Sequence, residues 1–135
     1  MADDVLVNKA AAIERAVGRV REEYGTDDAN LVANQTRQDA IILNLLRACE
    51  SSIDAAMHLV RVHRLGVPQE TREAFDLLEQ AGRLDPSLAK RLRGMVGFRN
   101  VAVHDYQKLS LDVVRRIIVE RLDDFLEFTR VLLKQ

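Results

Sequence analysis

The stretch from Leu31 to about Arg64 does most to limit what this chain can fold into. Within it Ile42, Leu45, Cys49, Ser52, Ala56, Leu59 and His63 follow one another by three and four positions. That is the stripe of a long helix laid nearly parallel to a neighbour, and its small residues permit close approach. Apolar residues recur at helical spacing almost everywhere else, and no segment alternates as a strand does. A first helix is expected over about Asp4 to Glu23, with Val5, Ala12, Ile13, Ala16 and Val20 inward, ended by the turn residues of "YGTDDAN". After the break "LGVP" at Gly66 and Pro68, "QETREAFDLLEQAGRL" predicts a short third helix stopping near Gly82. A fourth begins with Asp85 as N-cap and Pro86 at the first helical position, where a missing N–H costs nothing. A fifth runs from the N-cap Ser110 to Leu133, with Val114, Ile117, Ile118, Leu122, Phe125, Leu126, Val131 and Leu132 inward. Short connections make these an all-α, antiparallel bundle of four to five helices, a single domain over residues 1–135.

At 135 residues the chain buries a core without a staple. Its single cysteine, Cys49, has no internal partner and sits in an apolar run, which fits a buried residue in a reducing, cytoplasmic compartment. Acids stand where a signal peptide carries basic residues, and charges interrupt every apolar run, so neither secretion nor membrane insertion is expected. The formal net charge of -1 conceals an asymmetry: residues 83–116 hold eight Lys and Arg against three Asp and Glu, between acidic flanks. Contact with a polyanion would be local to that segment, although a solvated helix face accounts for the charge equally well.

The same segment contains "GFRNVAVHDYQ", Gly97 to Gln107, with Arg99, Asn100, His104, Asp105 and Tyr106 within eight positions. Arginine presents a permanently charged fork suited to phosphate oxygens, and histidine is the side chain that titrates nearest neutral pH. Together they suit cleavage of a phosphodiester: the imidazole takes a proton from a ribose 2′-hydroxyl or gives one to the leaving oxygen, and the guanidinium offsets charge developing on phosphorus. No metal is required. Five positions on an ideal helix turn Arg99 and His104 about 140° apart, so either the helix ends between them or a second subunit contributes. An isologous dimer with the motif on its two-fold axis meets the second case. Asn100 could bind a phosphate or position the histidine, Asp105 could orient the imidazole, and Tyr106 could stack on a base, donate a hydrogen bond or be modified.

The pattern R-N-x-x-x-H-x-Y, Arg99 to Tyr106, in the last third of a small helical chain resembles the signature of the HEPN superfamily. The flanking "MVGFRN" and "HDYQ" are similar to its HepT branch, the toxin half of type VII toxin–antitoxin pairs. The resemblance implies a homodimeric, metal-independent ribonuclease toxin, acting on RNA, with tRNA the expected target. Arg99 would stabilise the phosphate, His104 would be the general acid or base, and Asn100 the polar partner. The toxin itself would need no cofactor. The resemblance also implies a minimal nucleotidyltransferase (MNT) antitoxin that uses ATP and magnesium to attach AMP to Tyr106, placing charge and bulk beside His104.

Glu50 and Asp54, one helical turn apart in "CESSIDAA", could hold a basic residue in the cleft, and Arg93 could join them there; an ordinary solvated or salt-bridged pair is the simpler account. His58 and His63 have no further ligand at zinc spacing and read as packing or surface residues. Two other readings compete with the ribonuclease: a non-catalytic helical module that binds a nucleotidyltransferase or a nucleotide, and a plain dimerisation protein. The second leaves Arg99 to Tyr106 unexplained.

Overall fold

The computed structural model describes residues 3–135, so the first two positions of the predicted domain lie outside the described residues. Seven α-helical segments follow in order: α1 (Asp4–Tyr24), α2 (Ala29–Val32), α3 (Gln35–Val62), α4 (Thr71–Gln80), α5 (Pro86–His104), α6 (Leu111–Arg116) and α7 (Leu122–Leu133). A 3-10 turn at Tyr106–Lys108 precedes α6, and a π-helical turn at Ile117–Arg121 joins α6 to α7. No strand occurs among the described residues.

Helix α1 starts where Asp3 Oδ1 accepts from the Val5 and Leu6 amides at 2.9 and 3.4 Å. It stops at Gly25, whose φ of 58° suits glycine and whose N–H reaches Arg21 O. Its buried stripe is Leu6, Ala10, Ile13, Ala16, Val17 and Val20. This corrects the expected stripe: Val5 is exposed and Ala12 only half-buried. In "DVLV" three apolar residues in a row leave the phase of the stripe open, and packing against both α3 and α7 selects Leu6.

The long second helix is also corrected. It divides into α2 and α3, because Asn34 leaves the helical conformation and caps α3 through the Arg37 amide at 3.0 Å. From there the expected stripe holds: Ile42, Leu45, Cys49, Ser52, Ala56 and Leu59 are all buried, and half-buried His63 is the C-cap. Helix α3 is the central strut, in contact with α1, α4, α5 and α7. Burial pushes the Cys49 thiol far above its ordinary range, which leaves it a packing residue.

Asp85 and Ser110 cap α5 and α6 as expected. The last helix differs from expectation at its middle. Instead of one continuous α-helix from Ser110 to Leu133, the π-helical turn inserts a residue that shifts the phase between α6 and α7. Ile117 and Ile118 are therefore both buried, and α7 presents Phe125, Phe128 and Leu132 to the core, with Leu126 and Val131 only half-buried. Phe128 meets Phe75 of α4 edge to face with ring centroids 5.9 Å apart.

Three polar ties hold the helices in register. His58 Nε2 lies 2.7 Å from Asp3 Oδ2, and that hydrogen bond is the main reason the Asp3 carboxyl sits below its ordinary range. Arg115 grips Asp28 with both arms at 2.8 and 2.9 Å, and Tyr24 donates to the same carboxylate at 2.9 Å. Buried Asp124 pairs with Arg91 at 2.9 Å; desolvation raises its pKa and the arginine opposes the rise.

Candidate functional site

Helix α5 runs without interruption from Pro86 through His104, so it does not end between Arg99 and His104. The two side chains leave the helix about 140° apart.

Arg99 is half-buried and held from two sides. Its Nε lies 2.5 Å from Glu50 Oε1 on α3, and its Nη1 donates to Asn100 Oδ1 at 3.0 Å. Nη2 makes no hydrogen bond among the described residues, so one arm of the fork stays open to an anion. Glu50 thus forms a salt bridge with Arg99. Asp54 does not join it: its carboxylate pairs with Lys9 of α1 at 3.2 Å. Arg93 is likewise engaged elsewhere, with Asp76 at 3.1 Å and Glu79 at 2.9 Å, where it ties α5 to α4.

His104 occupies the last turn of α5 and is exposed, with no hydrogen-bond partner among the described residues. Asp105 is the C-cap, its N–H donating to Val101 O at 2.9 Å and its carboxylate 3.4 Å from Lys108 Nζ. That contact takes it toward Lys108, and no hydrogen bond to the His104 ring accompanies it. Tyr106 opens the 3-10 turn with 49% of its surface exposed, its phenol free for a reagent to approach.

One cation near this motif was not anticipated. Arg72 of α4 reaches across to α5, its Nε donating to Arg93 O at 3.3 Å. Its Nη2 stands 3.1 Å from where a Cβ on Gly97 would be. With Glu70, Thr71, Val96 and Asn100 it lines a shallow hollow of about 340 Å³. The glycine three residues before Asn100 was the only trace of this in the sequence. Among the described residues no three His, Cys, Asp or Glu side chains gather as metal ligands would, and no helix is long and apolar enough to cross a membrane.

An all-helical bundle that carries Arg-Asn and His-x-Tyr at the C-terminal end of one helix defines a HEPN-type protein. The chain belongs to the HepT-like family, described as ribonuclease HepT-like, whose model matches residues 13–132. It is 43% identical over 130 residues to the mRNA nuclease HepT of Shewanella oneidensis, covering 96% of this chain and 97% of that one. The fold matches a solved structure of the tri-AMPylated Shewanella oneidensis HEPN toxin in complex with MNT antitoxin. There the TM-score is 0.92 and the identity 42%, over 98% of this chain and 99% of that one. A toxin–antitoxin structure with AMP-PNP matches at a TM-score of 0.93 and 41% identity, over 98% of this chain and all of that one.

Proposed function

We propose that this chain is the RNA-cleaving toxin of a toxin–antitoxin pair, working as a homodimer in which Arg99 of one subunit and His104 of the other address one phosphodiester. The observation that carries this is the unbroken α5, which turns the two side chains apart within a chain while leaving Arg99 Nη2 and the His104 ring unengaged. The guanidinium would offset charge on the phosphoryl oxygens and the imidazole would move the proton, so the chemistry needs no metal. Asn100 and Glu50 fix the guanidinium plane; Asp105 shapes the helix end from which His104 projects.

The substrate is RNA, since only a 2′-hydroxyl supplies the internal nucleophile that this pair could activate. The family resemblance implies tRNA, whereas the relative's name speaks for mRNA. Silencing would come from an MNT-type antitoxin that transfers AMP from ATP, with magnesium, to the Tyr106 hydroxyl. Exposure of Tyr106, two residues from His104, supports the assignment, because each added AMP would bring a negative charge to the cleft.

The deciding experiment incubates the purified chain with labelled RNA in EDTA, beside Arg99→Ala and His104→Ala. Cleavage by the parent alone, leaving 2′,3′-cyclic phosphate ends, is expected. A parent that cuts no RNA, yet still binds the nucleotidyltransferase, would leave the non-catalytic docking module as the better reading.

A further inference from the structure

A groove runs along the other flank of α5. At one end it is about 390 Å³, floored by Met95, Phe98 and Ile117 and walled by Lys90, Arg116 and Arg121. It continues over Phe98 and Val113 into a smaller hollow of about 180 Å³ that ends at Lys108 and Ser110. From Lys90 to Val101 the path is roughly 16 Å at the rise of an α-helix.

Three features set this groove apart from an ordinary charged face. Lys90, Arg116 and Arg121 are exposed and make no ion pair among the described residues. Arg91, which also lines it, is by contrast neutralised by Asp124 and Glu127. The floor is apolar, with exposed Val113 common to both hollows above the nearly buried Phe98. Finally, Lys90, Gly94, Gly97, Val101 and His104 succeed one another by fours and threes, so the groove's wall on α5 leads straight to the candidate general acid or base. The π-helical turn contributes Ile117 to the floor and Arg121 to the far wall.

We infer that this groove carries the single-stranded RNA that flanks the scissile phosphate, on the His104 side. The inference rests on the ribonuclease reading above and adds to it the course of the substrate. Spaced, unpaired cations match a run of phosphates rather than one anion, and an apolar floor gives bases a surface that does not read their sequence. Substrate choice would then follow accessibility of a single strand more than base identity.

The test measures binding of fluorescein-labelled oligo(U) and oligo(A) to the full-length His104→Ala protein, which holds RNA without cutting it. Beside it stands the same protein with Lys90→Gln, Arg116→Gln and Arg121→Gln. All three side chains are exposed, and circular dichroism and sedimentation are run beside the binding to check fold and assembly. The triple change is expected to weaken both oligonucleotides alike and to flatten the log affinity against log salt slope by about 2, as for three lost phosphate contacts on a single strand. In the active protein the same triple change should raise KM and leave kcat nearly as it was. Unchanged affinity and slope would overturn the groove assignment while parent cleavage still stood. So would a triple variant that keeps RNA affinity and loses only the antitoxin complex, or one that dissociates into monomers. Absence of RNA cleavage by the parent would instead strike the underlying ribonuclease reading.

Discussion

Glu50 Oε1 on α3 and Arg99 Nε on α5 are 2.5 Å apart, and the contact joins residues 49 positions distant in sequence. A carboxylate on Nε fixes the guanidinium plane and leaves the far edge of the fork outward. On the proposed mechanism Glu50 would act as a positioning residue. Glu50→Ala should lower kcat for RNA cleavage by up to about 100-fold through misorientation, with a smaller change in KM. Glu50→Gln, which keeps an acceptor oxygen, should recover much of the loss. Equal kcat for parent and Glu50→Ala would show that Arg99 needs no such support.

A site shared between two subunits, as proposed above, makes a prediction that no single-chain site shares. Arg99→Ala and His104→Ala homodimers should each be inactive, with losses of at least about 100-fold. Mixed dimers that carry one of each retain one intact Arg99 and His104 pair across the interface. Co-expression of the two variants with different affinity tags and two-step purification should therefore recover cleavage. A dead mixed dimer would place both residues of each working pair in one chain.

Tyr106 should be the acceptor of AMP. Intact mass of the chain co-expressed with an MNT-type nucleotidyltransferase is expected to rise in whole AMP increments, and Tyr106→Phe should remove every increment while preserving RNA cleavage. Increments that survive in Tyr106→Phe would move the modification to another hydroxyl.

The Asp28–Arg115 grip gives the fold a definite acid response. The arginine, with help from Tyr24, holds the Asp28 carboxyl below its ordinary value of 3.8. A depressed carboxylate stabilises the native state above that ordinary value and loses its contribution as pH falls through the depressed one. Asp28→Asn should thus melt lower than the parent near neutral pH, and the two melting temperatures should converge as the pH is taken below 3.8. A gap that stays constant to low pH would mean the stabilisation is not carried by the ionised carboxylate.

Helix ends were the most legible part of the sequence, because a cap is a local matter: Asp85 with Pro86, and Ser110, each satisfy amides within three residues. What could not be read locally was phase. Val5 and Leu6 are equally apolar, and only the presence of both α3 and α7 decides between them. The π-helical turn is hidden for the same reason, since "VVRRIIV" offers an apolar residue to the core in either phase. Asn34 as a cap was concealed inside a periodic stretch. In the candidate site, the motif residues lie on one short segment and were found together. Sequence position alone does not pair Glu50 with Arg99, and the approach of Arg72 depends on how α4 crosses α5.

The wide turn at Ile117–Arg121 has a bearing on how such a chain can change over time. Upstream of it α6 lines the proposed groove with Val113 and Arg116; downstream α7 packs into the core. Removing a single residue from that turn would swing α6 by about 100° about its own axis while leaving α7 in place. Val113 and Arg116 would leave the groove together, although no side chain had been altered. Along this stretch a one-residue gain or loss is a coarse dial on recognition, and point substitution is the fine one.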